Sequence, residues 1–312
     1  MEQISLSILQ IVVVLLAAPL VQGVIKKTKA RLQNRIGADV VQPYRDIMKY
    51  LKKDAVIAKD ASWLTRWTPY ICLAVVLCIA LLVPTVVVQP PLSFTGDIIL
   101  IVYLFAMMRF FLAITALDSG SAFGGMGSSR EMVMSAICEP ALLLAVISVI
   151  LSVGTTNVGD VVGVLATRQW DFFNYGYWLN WLAFVIVIIA ETGRIPYDNP
   201  DTHLELTMIH EAMMLEYSGR YWGILHWALL IKQTLLFTIF INLFMPWGIA
   251  TELNASAMVI SLVIYLIKLI AVGILLAAIE TLYAKIRLFK VPKLLASSMA
   301  LSILAIILQI VE

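Results

Sequence analysis

Residues 4–25 read ISLSILQIVVVLLAAPLVQGVI, and residues 26–35 read KKTKARLQNR. A helix needs about 20 mostly apolar residues to cross roughly 30 Å of hydrocarbon. The first stretch is long enough to span, carries no charge, and gives way abruptly to a basic segment that marks where it meets water. It is too long for the apolar part of a cleavable leader, its cations follow rather than precede it, and no small-residue cleavage site ends it. It is expected to stay as a transmembrane helix.

Seven further segments repeat the pattern, at about 70–90, 98–117, 132–154, 176–193, 221–247, 256–281 and 293–311. No alternating strand pattern occurs, which argues against a β-barrel. Composition agrees: 61% of the 312 residues are apolar and 13% charged, where a soluble domain averages roughly 25% charged. These values exclude an ordinary soluble enzyme, a disordered chain and a small disulfide scaffold. The formal charge of +2 and the lack of a basic strip interleaved with aromatics exclude a nucleic-acid partner. Cys72, Cys78 and Cys138 sit inside apolar runs without a CxxC, so they read as buried small hydrophobes, not as a disulfide framework or metal cluster. The reading is a single all-α polytopic membrane domain over 1–312, with eight transmembrane helices.

Of the 22 Lys and Arg residues, 18 fall on one face. Eleven lie in the 26–69 connection, between Lys26 and Arg66. Lys285, Arg287, Lys290 and Lys293 lie in or beside the 282–292 connection, and Arg130, Arg194 and Arg220 flank those at 118–131 and 194–220. Cytoplasmic connections carry the excess of basic residues, so both termini are expected outside. The outer face keeps only Arg168, and its connections are short except 155–175, where Gly154, Gly159, Gly163 and Trp170 point to an ordered loop. Within 39–57, Val41, Tyr44, Met48, Leu51 and Ala55 recur at three- and four-residue spacing. That period describes an amphipathic helix along the membrane surface or beneath a partner; a solvated connector helix is the plainer alternative.

Charges inside spans cost about 2.5–3.5 kcal/mol each at a helix centre on insertion scales, so they are expected to face protein or water. Counting 1.5 Å per residue, Arg109 and Glu139 reach similar depths on consecutive antiparallel spans and are placed to pair. Lys232 and Lys268 lie nearer the midplane, and Glu191 and Glu280 at the inner ends of their spans. The outer half holds no comparable group, so a charged track runs from the inner surface to mid-membrane and stops. A static Arg109–Glu139 pair and a water boundary at Glu191 and Glu280 remain structural alternatives.

The 191–217 stretch is the densest polar segment, with six acids, His203 and His210 against the single Arg194. His203 and His210 are seven apart, on one face of a helix, yet the second histidine that a zincin helix needs is absent. No metal is assigned. Carboxylates such as Asp198, Glu205 and Glu216 crowded among Leu204, Leu206, Ile209 and Met213 are expected to have raised, mutually coupled pKa values. Such groups suit a proton-relay entrance; a solvated acidic loop is the alternative.

The motifs Gln33-Asn34-Arg35-Ile36-Gly37, Gln42-Pro43-Tyr44-Arg45-Asp46, Ser128-Ser129-Arg130-Glu131 with Glu139 following, and Glu191-Thr192-Gly193-Arg194-Ile195-Pro196-Tyr197-Asp198 closing in Glu216-Tyr217-Ser218-Gly219 resemble one family. It is the eight-helix membrane subunit shared by respiratory complex I and membrane-bound nickel–iron hydrogenases. The short join between Gly37 and Gln42, and the run Asp201-Thr202-His203-Leu204-Glu205-Leu206, look like the hydrogenase, formate hydrogenlyase-like side. Ala38 stands where the family commonly carries proline.

The resemblance implies a non-catalytic subunit that anchors a cytoplasmic redox arm and links it to antiporter-like membrane subunits. Partners would be the hydrogenase small and large subunits, which hold the iron–sulfur clusters and the nickel–iron site, so this chain would bind no cofactor. In complex I the corresponding cavity holds quinone; on the hydrogenase side none is expected. By the motif match Glu139 and Glu191 fall on the family's proton path, with Asp198, Glu205 and Glu216 on its third loop. Arg109, Lys232, Lys268 and Glu280 join them on depth alone. Arg35, Arg45, Asp46, Arg130, Arg194, His203 and His210 are assigned to the face toward the arm. The expected location is the cytoplasmic membrane of a bacterium or archaeon. The quinone-site subunit of complex I is the alternative within the family, and a free-standing secondary transporter the alternative from another class. The transporter predicts repeat symmetry and broken midplane helices, neither of which is evident here.

Overall fold

The computed structural model describes residues 2–58, 61–89, 95–167, 174–199, 208–251 and 254–311. Lys59, Arg168, Trp170, His203 and Glu205 lie outside the described residues. The helices are α1 (Glu2–Leu32), α2 (Gln42–Leu51), α3 (Trp63–Leu82), α4 (Ile98–Asp118), α5 (Ala122–Val153), α6 (Val158–Thr167), α7 (Tyr175–Glu191), α8 (Gly219–Phe244), α9 (Ala255–Leu282) and α10 (Val291–Val311). Single 3-10 turns occupy Glu211–Met214 and Leu288–Lys290. Among the described residues no β-strand forms, and only two isolated bridges occur.

Local chemistry sets several of these boundaries. Ser62, Asp97, Ser121 and Asn174 each accept a hydrogen bond from a first-turn N–H of the helix that follows, which satisfies donors that have no partner within the helix. Gly154 ends α5 at φ 84, its N–H donating to the Ile150 carbonyl at 2.7 Å. Such a left-handed residue is the common close of a helix.

Seven helices are long and apolar enough to cross a membrane: α1, α3, α4, α5, α8, α9 and the segment Leu288–Val311 that includes α10. The eighth expected span, 176–193, is the shorter α7 of 17 residues. It stops at Glu191 because Thr192 Oγ1 bonds back to the Ile188 carbonyl at 2.7 Å and Gly193 turns left-handed at φ 60. Other bounds move too. The first helix continues through its basic tail to Leu32, and the second starts at Trp63, not near 70. The fourth begins at Ala122, so most of the expected 118–131 connection is helix. In 39–57 only Gln42–Leu51 is helical, with Pro43 and Ile47 facing inward against α1 and α8. Val41, Met48 and Leu51 of the expected stripe are exposed on this chain.

α8 is the hub, with 78% of its spanning window buried, and it touches α1, α2, α3, α7 and α9. α9 packs on α1, while α10 packs on α7 and α5. Beyond Leu82 the chain leaves the helix through a run of bends, and Val87 bridges Ala250. Side chains hold this strap in place. Asn242 Nδ2 donates to the Pro84 carbonyl at 2.7 Å, Ser261 Oγ to Val86 at 2.6 Å, and Gln10 to Val83. Each bond satisfies a backbone group that hydrocarbon would leave unpaired at a cost of several kcal/mol.

Candidate functional site

Four helices bring charge to one buried point. α4 supplies Arg109, α5 supplies Glu131, Cys138 and Glu139, the last residue of α7 is Glu191, and α8 supplies Lys232. The Arg109 guanidinium divides its three nitrogens among three carboxylates. Nη2 lies 2.5 Å from Glu191 Oε1, Nη1 3.4 Å from Glu139 Oε1, and Nε 3.7 Å from Glu131 Oε1. Lys232 Nζ lies 3.0 Å from Glu191 Oε2 and also donates to the Glu191 carbonyl at 3.1 Å. The Cys138 thiol donates to Glu191 Oε1 at 3.4 Å. At the edge, His210 Nδ1 is 3.4 Å from Glu131 Oε2. Two cations therefore face three carboxylates, and ionised throughout the group is one positive charge short of neutrality.

Two glycines seat His210. A Cβ on Gly127 would stand 2.6 Å from Ala212 Cβ, so its absence lets the Glu211–Met214 turn lie on α5. Gly193, at φ 60, would place a Cβ 3.1 Å from the His210 ring. Asp198 secures the same segment from behind. Its Oδ2 accepts the N–H of Ile209 at 3.1 Å and of His210 at 3.3 Å, while its Oδ1 meets Lys285 Nζ at 3.1 Å. Burial, with the carboxylates of Glu131 and Glu191 nearby, pushes the Tyr197 hydroxyl well above the usual tyrosine range, so it stays protonated.

A second cluster lies beside the first. Arg194 Nη1 is 3.4 Å from Glu280 Oε1, and its Nη2 donates to Gln22 at 2.6 Å and Gln233 at 2.7 Å. Lys29 reaches Glu280 Oε2 at 3.3 Å. Both clusters border a cavity of about 630 Å³, whose lining includes Gln22, Arg35, Asp46, Glu191, Lys232 and Glu280. A separate groove of about 370 Å³ opens on the lateral surface between α4 and α5, lined by Tyr103, Met107, Phe110, Met132, Arg109 and Glu139. The Glu139 side chain is 34% exposed there. Arg109 thus stands between them, touching Glu191 on the cavity side and Glu139 on the groove side.

Several expectations need correction. Lys268 is not on the track: it donates to the carbonyls of Met245, at 2.6 Å, and Trp247, and lies over the Trp247 ring. There it caps the far end of α8. Glu280 belongs with Arg194 and Lys29, apart from Arg109. Arg194, assigned to the arm-facing surface, is buried because the Gly193 turn sends it inward. His210 faces Glu131, and Arg130 donates to the Met208 carbonyl at 3.1 Å. Asp198 is paired with Lys285, and Glu216 is exposed. Arg45 is exposed, while Asp46 accepts from Gln42 Nε2 at 2.8 Å. Sequence reading passed over Glu131 as part of an arm-facing motif. Its signal was its spacing eight residues before Glu139, about two helical turns. Among the described residues no group of three or more His, Cys, Asp or Glu could hold a metal ion.

The NADH dehydrogenase family profile matches residues 4–310. Formate hydrogenlyase subunit 4 of Escherichia coli (strain K12) is 34% identical over 301 residues, 96% of this chain and 96% of its own length. Hydrogenase-4 component C of the same organism is 31% identical over 283 residues, 88% of this chain and 86% of its own. Among solved structures, a chain of the membrane-bound sulfane sulfur reductase, an archaeal respiratory membrane complex, shares the fold. Its TM-score is 0.84, covering 98% of this chain and 100% of that one at 22% identity.

Proposed function

This chain belongs to the NADH dehydrogenase family, and we propose that it is the ion-translocation-coupling membrane subunit of a formate hydrogenlyase-like nickel–iron hydrogenase complex. It is a multi-pass membrane protein. In this reading α7 is the eighth span, both termini lie outside, and α2 is the amphipathic helix of the first cytoplasmic connection. The cytoplasmic connections carry the hydrogenase arm, whose small and large subunits hold the iron–sulfur clusters and the nickel–iron site. Antiporter-like membrane subunits adjoin the chain laterally, in the cytoplasmic membrane. The curated relatives support the hydrogenase branch by identity and by near-complete coverage.

One observation carries the coupling role: Arg109 is shared between Glu191, on the cavity, and Glu139, on the lateral groove. The cluster's missing positive charge is the electrostatic condition for taking up a proton, since an uncompensated charge at depth is costly. A proton arriving through the cavity passes by way of His210 to Glu131, while Glu191, held between Arg109 and Lys232, stays ionised. It leaves through Glu139 toward a neighbouring membrane subunit. Glu139→Gln keeps size and hydrogen bonding but removes the titrating charge. In an assembled complex it is expected to slow redox turnover or detach it from ion movement, while the nickel site still works with artificial electron donors. Unchanged pumping stoichiometry refutes the role.

The cavity of about 630 Å³ favours one alternative, a quinone-site subunit of complex I. Co-purified nickel with hydrogen evolution, against quinone reductase activity, separates the two.

A further inference from the structure

The connection between α9 and α10 joins cations to exposed apolar surface, and neither the charged clusters nor the cavity uses that surface. From Thr281 to Val311 the chain carries Lys285, Arg287, Lys290 and Lys293 and no acid. The connection is anchored at both ends. Lys285 is committed to Asp198, the Ile286 N–H donates to the Pro196 carbonyl at 3.0 Å, and Val291 is fully buried. Between these anchors the Leu288–Lys290 turn holds Phe289 outward, 91% exposed, beside exposed Leu282 and Tyr283. The Lys290 N–H donates to the Arg287 carbonyl at 2.8 Å, which closes the turn between these two cations, and Lys293 follows at the start of α10. All three are exposed.

The helices at either end are the least covered of the seven spans, with 33% of the α9 window and 22% of the Leu288–Val311 window buried. Their open faces are aliphatic, with Ile267 and Ile274 on α9 and Leu304 and Ile307 on α10 exposed. Acyl chains match such faces, and cations with an aromatic ring at the end of a span match the headgroup level.

We propose that residues 282–293 form a binding site for anionic phospholipid headgroups. Phe289 and Leu282 enter the acyl-chain boundary, and Arg287, Lys290 and Lys293 engage headgroup phosphate. An acidic protein surface would satisfy the three cations but would leave the phenylalanine and the aliphatic helix faces beside it in water. The site requires the chain to lie in a bilayer and is independent of the coupling role.

The test uses the complex containing this chain, purified in mild detergent, delipidated, and titrated with phosphatidylglycerol or phosphatidylcholine. Bound lipid is counted by native mass spectrometry. Each cation near an anionic surface contributes about fivefold in binding. R287Q/K290Q/K293Q is therefore expected to weaken phosphatidylglycerol binding on the order of a hundredfold and leave phosphatidylcholine unchanged. F289S is expected to weaken both lipids alike, and K52Q/K53Q, on another exposed basic segment, neither. Unchanged phosphatidylglycerol binding in the triple variant overturns the proposal. So does release of soluble subunits with lipid binding intact, which would make the connection a contact for the redox arm.

Discussion

Replacing Arg109 by Gln removes a single cation from among three carboxylates and, among the described residues, leaves Lys232, 3.0 Å from Glu191, as their close cation. Deleting one member of a buried pair costs about 3–5 kcal/mol, because the other charge stays behind without compensation. For a chain of this size each kcal/mol is worth roughly 2–4 °C, so R109Q should lower the unfolding midpoint by on the order of 10 °C. Membrane complexes unfold irreversibly, so wild type and variants must be scanned at one fixed rate. R109Q/E191Q should recover part of the loss, with a coupling of about 1–3 kcal/mol between the two positions. R109K should assemble better than R109Q yet not match wild type, since one ammonium cannot offer separate nitrogens to three carboxylates. If R109Q melts within a degree or two of wild type, or if E191Q simply adds to its damage, the guanidinium is not the keystone of this cluster.

Gly193→Ala forces a side chain into φ 60 against the His210 ring, a backbone cost of about 1–2 kcal/mol. Amide exchange over 208–214 should quicken on the order of tenfold, and unchanged exchange would remove Gly193 as the seat of His210. Lys268→Met deletes the charged bonds to the Met245 and Trp247 carbonyls and should cost about 1.5–3 kcal/mol for a charge-assisted bond. Redox turnover should stay linked to ion movement in that variant; lost coupling would return Lys268 to the proton track.

Seven of the expected spans were legible because hydrophobic length is a one-dimensional signal. Arg109 and Glu139 were legible as partners because consecutive antiparallel helices bring equal depths together. Lys268 was not, since counting depth from helix ends assumes that neighbouring helices start level. α8 stops at Phe244, and the turn after it folds back onto the middle of α9, where a lysine becomes a helix cap. Arg194 misled for a related reason: a loop residue reads as exposed, and only the left-handed Gly193 shows that its side chain turns toward Glu280. Glu131 was hidden because the start of α5 at Ala122, ten residues earlier than the apolar run, turns a connection into a helix.

The strap from Pro84 to Val88 also has an electrical meaning. It lies at the end of the bundle opposite the cavity, about 18 Å along α8 from Gln233 to Met245, with hydroxyls and amides bonded to backbone and, among the described residues, small voids of about 10 Å³ beside it. A solution-filled cavity holds the potential of the compartment it opens to, so the membrane voltage falls mainly across the closed thickness. Under the proposed coupling role, a proton that enters by the cavity and is handed sideways at Glu139 crosses little of that field. The work of about 2.3 kcal/mol per charge per 100 mV is then done elsewhere, in the neighbour that carries the charge through the remaining depth. Voltage should consequently slow the neighbour's step and leave the loading of this chain nearly unaffected.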